Sequence, residues 1–420
     1  MDILIKGNTK LSGEVEISSA KNSILPILAA SILSSEPVTI HKVPLIKDVF
    51  IIAEILETLG LQLEWKQQDI TISGLAFSTH PPFDLVRQIR ASFLLMGPLL
   101  AKYGKARIAF PGGCAIGHRP IDLHLKGLQR LGASIHLTAG DVMATAQRLY
   151  GAHIYLDYPS VGATENLIMA ASIAEGTSYI ENAAREPEIV DLANFINAMG
   201  GKISGAGTGL ITIEGVKKLS GVEYQAIPDR IEAGTYMVAV AATSGNALIK
   251  NVIPEHVKAV SAKLMETGAV IEEEKNQLWV QGSQEVQPVY IKTLPYPGFP
   301  TDMQAQMMAY LSRGKGSSII SESVFENRFM HVPELKRMGA KIRIEGRTSV
   351  IEGKSRLTGT TVKASDLRAG AALVIAGMMA DGITMVKDHQ HVERGYENLA
   401  QKLNLMGAEI HYRDSPGQAL

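Results

Sequence analysis

The sequence predicts an α/β protein of two domains, each assembled from three copies of one β-α-β-α-β-β unit. Three observations predict it. A short phrase, a helix end running into a glycine and then a strand, occurs six times in 420 residues. The copies are Leu56-Glu-Thr-Leu-Gly60-Leu-Gln-Leu63, Leu128-Gln-Arg-Leu-Gly132-Ala-Ser-Ile135, Ile196-Asn-Ala-Met-Gly200-Gly-Lys-Ile203, Leu264-Met-Glu-Thr-Gly268-Ala-Val-Ile271, Leu335-Lys-Arg-Met-Gly339-Ala-Lys-Ile342 and Leu403-Asn-Leu-Met-Gly407-Ala-Glu-Ile410. Their glycines are separated by 72, 68, 68, 71 and 68 residues, a spacing that marks one supersecondary unit repeated six times. Second, an apolar run of small residues precedes each phrase. Third, the last copy is cut short while the N-terminus carries surplus strand-like segments.

The elements follow in order. The apolar runs at 23–33, 91–101, 163–174, 233–242, 303–311 and 369–380 read as a first, buried helix. A short β-branched strand comes next, as in Val38-Thr-Ile40, Ala247-Leu-Ile249 and Ile383-Thr-Met385. A more polar second helix, with one face to solvent, then ends at the marker glycine, which accepts φ > 0 without a Cβ clash. A hairpin closes the unit, clearest in Lys341-Ile-Arg-Ile-Glu-Gly-Arg-Thr-Ser-Val-Ile-Glu-Gly353, where alternation flanks a turn. After Ile410 too little chain remains for that hairpin, and Ile3-Leu-Ile5 with Glu14-Val-Glu-Ile17 are expected to complete the last domain. The domains are then residues 21–227, carrying the loop around Cys114, and residues 1–20 with 228–420, carrying Asp302. Two crossing segments, near Ala20 and Pro228, predict a double-stranded hinge and closure over a ligand.

Composition narrows the function classes. Hydrophobic residues make up 46% of the chain, ample for large cores, and the formal net charge of −1 gives no footprint for nucleic acid. The N-terminal Met1-Asp-Ile-Leu-Ile-Lys6 does not read as a signal peptide, and no run approaches the ~20 apolar residues of a membrane span. A cytoplasmic protein without a membrane partner is expected; the oligomeric state is left open. With one cysteine there is no intrachain disulfide or thiolate-rich metal site, and no metal is expected. His389 and His391 are the single close histidine pair, read as loop or strand-end residues or, alternatively, as metal ligands.

Polar residues recur at the junction before each first helix: Lys21 and Asn22, Arg90, Ser160 to Gly162, Asp229 and Arg230, Thr301 and Asp302, Asp366 and Arg368. All lie 37 to 42 residues before their own marker glycine, so they occupy equivalent places. Asn22, Ser160, Asp302 and Asp366 are each readable as helix caps or as ligands. The cations oppose the positive end of a helix dipole, which points to a bound anion.

The loop Pro111-Gly-Gly-Cys-Ala-Ile-Gly-His-Arg-Pro120 is the other outlier. Its cysteine is either a small apolar filler or, beside His118 and Arg119, a reactive thiol of lowered pKa. Gly205-Ala-Gly-Thr-Gly209 reads as a hairpin turn, and Gly314-Lys-Gly-Ser317 lacks the phosphate-loop pattern.

These residues resemble the enolpyruvyltransferase family over essentially the whole chain. The resemblance rests on Ser19-Ala-Lys-Asn22, Ile89-Arg-Ala-Ser92, Pro111-Gly-Gly-Cys114, Arg119-Pro-Ile-Asp-Leu123, Ser160-Val-Gly-Ala-Thr164 and Pro228-Asp-Arg230. It continues in Pro297-Gly-Phe-Pro-Thr-Asp302, Phe325-Glu-Asn-Arg328, Ser365-Asp-Leu-Arg368 and Arg394-Gly-Tyr396. It implies two inside-out α/β barrel domains. It also implies transfer of enolpyruvyl from phosphoenolpyruvate to the 3-hydroxyl of UDP-N-acetylglucosamine, with phosphate released, at the start of peptidoglycan synthesis. No cofactor is implied.

By the same resemblance Cys114 is the general acid that protonates the donor's methylene carbon, and the site of alkylation by epoxides such as fosfomycin. Asp302 draws the proton from the sugar hydroxyl. Lys21, Arg119 and Arg394 contact the donor's phosphate, with Asn22 beside them and Arg328 and Arg368 nearer its carboxylate. The nucleotide sugar takes Asn22, Arg90, Arg119, Pro120, Ile121, Asp122, Leu123, Ser160, Val161, Gly162, Asp302 and Val324. Two polyanionic substrates call for such clustered cations, and bidentate arginine suits both phosphate and carboxylate. Tyr158 departs from members that carry a lysine there, which puts one nucleotide contact in question.

Three other readings compete. The sister enzyme acting on shikimate 3-phosphate lacks this cysteine loop. RNA 3′-phosphate cyclisation calls for a basic stripe that the chain does not have. A non-enzymatic repeat scaffold with a redox cysteine would have no nucleotide-sugar affinity.

Overall fold

The computed structural model describes residues 2–110, 112, 121–354 and 356–413. They divide into two compact units, residues 2–18 with 228–413 and residues 19–110 with 121–227.

The marker glycines set the frame. All six have positive φ: 111° at Gly60, 101° at Gly132, 98° at Gly200, 95° at Gly268, 102° at Gly339 and 96° at Gly407. After each one, the next residue's N–H turns back to the carbonyl of the leucine or isoleucine that opens the phrase. The bonds run from Leu61 to Leu56, Ala133 to Leu128, Gly201 to Ile196, Ala269 to Leu264, Ala340 to Leu335 and Ala408 to Leu403, at 2.9 to 3.1 Å. This left-handed helix stop satisfies a terminal carbonyl and aims the chain into the following strand.

The first helix of each repeat is buried over most of its length. In the 228–413 unit these are Arg230–Ala242, Gln304–Leu311 and Leu367–Met379, and they pack against one another. From Ile231 to Ala242 every residue is buried, and alanine and glycine at many of these positions let neighbouring helices approach. The 19–227 unit has Lys21–Ala30, Met96–Tyr103 and Val161–Ala171 in the same role. Second helices such as Lys47–Leu59 expose Phe50, Glu54 and Glu57 and bury the opposite face. Each domain is thus an inside-out α/β barrel, with helices within and sheets around them.

Every fully described repeat sheet has the same order. Tyr290–Lys292 runs parallel to Ser317–Ser321, which pairs antiparallel with Thr348–Glu352, and Lys341–Glu345 forms the edge. In the last repeat the missing strand is Asp2–Lys6, placed between Ile383–Lys387 and Ile410–Arg413, with Ile3 opposite Val386 on one side and Tyr412 on the other. The second N-terminal strand goes elsewhere. Ser12–Glu16 pairs in parallel with Asn246–Lys250 and is the opening strand of the fourth repeat. The first repeat likewise takes its opening strand from far along the chain, Glu223–Gln225 beside Val38–His41. Among the described residues the second repeat has three strands, and no helix is long and apolar enough to cross a membrane.

Candidate active site

In the 228–413 unit, Asp302 lies in the 3-10 turn Thr301–Met303 that leads into the central helix Gln304–Leu311. The turn's cap residue is Pro300, so Asp302 is not the cap. Its two carboxylate oxygens instead accept hydrogen bonds from Arg328 Nη2 at 2.6 Å and Arg368 Nη2 at 3.1 Å. Of the other residues readable as caps, two are caps. Asp366 accepts from the N–H groups of Arg368 and Ala369 at 2.9 and 3.1 Å, and Ser160 from that of Ala163 at 3.3 Å. Asn22 lies inside the helix Lys21–Ala30, whose cap residue is Ala20.

Arg328 and Arg368 are only 6% and 3% exposed. Each guanidinium is backed by an aromatic ring, Phe325 at 5.3 Å and Tyr396 at 5.2 Å. The Tyr396 hydroxyl is fixed by Thr235 Oγ1 at 3.0 Å and by the Gln306 side-chain amide at 3.2 Å. Among the described residues, buried Arg328 Nη1 and Arg368 Nε and Nη1 have no hydrogen-bond partner. Unbonded N–H groups on a buried cation are costly, and an anion with several acceptor atoms removes that cost.

Glu322, buried and absent from the sequence-based list, organises the neighbourhood. Its carboxylate accepts from Thr293 Oγ1 (2.8 Å), Thr301 Oγ1 (2.9 Å), the Val324 N–H (2.8 Å) and the Phe325 N–H (3.2 Å). It ties the turn of Asp302 to the segment carrying Val324 and Arg328. His331 is also fully buried here; burial pushes its pKa down to about 4, with Asp366 opposing the shift and Arg328 adding to it. Arg394 closes the turn His389–Arg394, two residues before Tyr396. Within that turn His389 Nε2 is 3.2 Å from Glu393, and among the described residues no group of three or more His, Cys, Asp or Glu is placed to hold a metal ion.

In the 19–227 unit, Lys21 opens its helix and is buried, with its Nζ 2.7 Å from Asp48. Arg90, the helix Asp122–Arg130 and the Ser160 turn converge on His124, whose importance the sequence did not reveal. Asn166 Oδ1 accepts the Gly97 N–H at 2.7 Å, so its amide donates to the Phe93 carbonyl and to His124 Nδ1, both at 2.9 Å. With Nδ1 accepting, the neutral ring carries its proton on Nε2. Burial, aided by the charge of Arg90, pushes the His124 pKa down to about 3. A Cβ on Gly162 would stand 3.2 Å from His124 Cε1 and 3.4 Å from Nε2, so the glycine lets the Ser160, Val161, Gly162 segment lie against the ring. Ile121 is the cap residue of the Asp122–Arg130 helix, with Leu123 partly buried inside it. Lys126 lies 3.7 Å from Asp122 and 3.3 Å from Asp157, beside the exposed Tyr158.

Cys114, Arg119 and Pro120 lie outside the described residues. The signal that would have found Asn166 and Gln306 is an amide within a helix made mostly of small and apolar residues, a signal each shares with a polar neighbour, Glu165 and Gln304.

The comparisons with known proteins agree on a family. The family described as EPSP synthase (3-phosphoshikimate 1-carboxyvinyltransferase) matches residues 5–403. The chain is 57% identical over 408 residues to UDP-N-acetylglucosamine 1-carboxyvinyltransferase 1 of Caldanaerobacter subterraneus subsp. tengcongensis, covering 97% of this chain and 98% of that one. It is 53% identical to the protein of the same name from Clostridium perfringens, covering 97% and 99%. Among solved structures, the enolpyruvyl transferase NikO from Streptomyces tendae superposes with a TM-score of 0.89 at 26% identity, covering 99% of each chain. EPSP synthase from Acinetobacter baumannii gives 0.78 at 18% identity, covering 99% of this chain and 100% of that one, a likeness of fold. With the repeat architecture, the paired arginines around Asp302 and a family match that runs almost from end to end, the chain belongs to the EPSP synthase family of enolpyruvyltransferases.

Proposed function

We infer that this chain transfers the enolpyruvyl group of phosphoenolpyruvate to the 3-hydroxyl of UDP-N-acetylglucosamine, releasing phosphate, as the first committed step of peptidoglycan synthesis in the cytoplasm. The observation that carries the reading is the pair of buried guanidiniums, Arg328 and Arg368, around Asp302, with N–H groups that have no partner among the described residues. A small substrate with separate carboxylate and phosphate groups answers that chemistry, and the names of relatives at 53 to 57% identity supply the acceptor.

In this reading Arg328 and Arg368 take the donor's carboxylate, while Lys21, Arg119 and Arg394, with Asn22, take its phosphate. Arg90, Arg119, Pro120, Ile121, Asp122, Leu123, Ser160, Val161, Gly162 and Val324 hold the nucleotide sugar. The reaction adds a hydroxyl oxygen to the donor's C2 and a proton to its C3, so it needs a base at oxygen and an acid at carbon. Asp302 is the base and Cys114 the acid. The tetrahedral adduct then loses phosphate and a C3 proton, which restores the C2–C3 double bond and leaves the sugar's enol ether.

The test is phosphate release from phosphoenolpyruvate by the purified chain. It should require UDP-N-acetylglucosamine, and shikimate 3-phosphate should not replace it. Release with shikimate 3-phosphate alone would assign the chain to the sister activity, and release with neither would remove both.

A further inference from the structure

Within the Arg328–Asp302–Arg368 cluster, Asp302 is the member with room to leave. Its side chain is 26% exposed, against 5% for Arg328 and 4% for Arg368. The arginines are held from behind by the rings of Phe325 and Tyr396, whereas Asp302 is carried by a single 3-10 turn. Two positive charges meet one carboxylate, and each guanidinium gives it one N–H. Among the described residues, Arg328 Nη1 and Arg368 Nε and Nη1 have no hydrogen-bond partner. A carboxylate that bonds end-on to two cations satisfies them poorly. A phosphate, or a carboxylate seated side-on, offers more acceptor atoms to the same N–H groups.

We propose that Asp302 is a built-in occupant of the anion site, holding Arg328 and Arg368 until an anionic group of the substrate takes them, and that its displacement releases the base. In the unliganded protein both Asp302 oxygens already accept from charged donors, so a sugar hydroxyl has to compete with a guanidinium for either. Once the donor's anion takes the arginines, one oxygen is free. The acceptor's O–H bond then breaks toward that oxygen as its O–C bond forms to the donor. The base is therefore armed by the donor and not before it. The role of Asp302 as base rests on the function read above, but its competition with an anion does not depend on which sugar is the acceptor.

The experiment is calorimetric titration of acetate, a carboxylate like the group these arginines are read to take, into the wild-type protein, Asp302→Asn and Asp229→Asn. Asp229 caps the helix Arg230–Ala242 and its charge also reaches Arg368, so its variant controls for the loss of a nearby negative charge. Removing the occupant should tighten acetate binding by about tenfold or more, the equivalent of freeing one charge-assisted hydrogen bond, while Asp229→Asn stays within about threefold of wild type. Asp302→Asn should also melt below wild type, because two buried guanidiniums have lost a counter-charge, and acetate should restore it more than it raises wild type. Unchanged or weaker acetate binding in Asp302→Asn overturns the proposal, as does an equal gain in Asp229→Asn, a melting loss that acetate does not reverse, or no acetate binding to any of the three. Tighter acetate binding in Asp302→Asn, with no turnover of UDP-N-acetylglucosamine by wild type, would leave the displacement standing and remove the assigned reaction.

Discussion

The ring of Tyr396 lies against the guanidinium of Arg368, 5.2 Å from its centroid, and the Tyr396 hydroxyl is anchored by Thr235 and Gln306 on two neighbouring core helices. Core packing is thereby transmitted to a charged group at the site through one aromatic side chain. Tyr396→Phe keeps the ring and loses the anchor; Tyr396→Leu loses both. The expected kcat/KM for phosphoenolpyruvate falls about threefold to tenfold in the first and about a hundredfold in the second. Steady-state kinetics at saturating nucleotide sugar checks the order, and equal effects of the two variants would refute a positioning role for the ring.

Gly200 isolates the cost of the left-handed helix stop. Its φ is 98°, and a Cβ built there meets nothing within 4 Å. Gly200→Ala therefore tests backbone conformation without steric crowding, and about 1 to 2 kcal/mol of stability should be lost. Gly200→Asn should lose less, since asparagine tolerates this region. Urea denaturation with an unchanged m-value is the measurement.

Acid should destabilise the protein through His124. Burial holds its folded pKa at about 3, below the ordinary 6.5 that it regains on unfolding. The unfolded chain thus takes up a proton that the native state refuses, and stability falls as pH drops from about 6.5 toward 3. The full span is on the order of 5 kcal/mol for this one group. Replacing His124 with glutamine should flatten the slope of the denaturation midpoint between pH 6 and pH 4, whatever it does to stability at pH 7. A slope identical to wild type would assign the acid sensitivity elsewhere.

Cys114 is tested by chemistry. Cys114→Ala should lose turnover and all alkylation by fosfomycin, whereas Cys114→Asp should keep some turnover, because a carboxyl also delivers a proton, and resist the epoxide. Intact-mass spectrometry with nucleotide sugar present reads the adduct directly. Wild-type protein without an adduct would count against the reactive thiol.

Local rules made much of the fold legible. A helix that stops at φ > 0 advertises itself with glycine, and the acceptor of each return bond is the residue that opens the repeated phrase, from Leu56 to Leu403. Parallel pairing between distant segments has no local signature. That is why the sequence places Ser12–Glu16 in the right domain without showing which repeat it opens, and why the short, polar Glu223–Gln225 carries no strand signal. In the site, the offset from the marker glycine singled out Asp302 and Arg368, but not that the two would meet across 66 residues. Neither Glu322 nor His124 carries any periodic signal. Their importance arises from burial beside groups contributed by other segments, a property of the folded chain alone.

The cyclic closure of each unit orders the folding of a nascent chain. A ribosome delivers residues 2–16 before any of their strand partners: Asn246–Lys250 follows in mid-chain, and Ile383–Lys387 with Ile410–Arg413 only near its end. The 19–227 unit meets no such delay, since its closing strand Glu223–Gln225 arrives as its own final segment. Synthesis should therefore yield one finished unit while Asp2–Lys6 and Ser12–Glu16 still wait, unpaired, for partners in the other. A bulky fusion ahead of Asp2 burdens the strand that must insert between two others at the end, so the N-terminus is the poorer place for a tag.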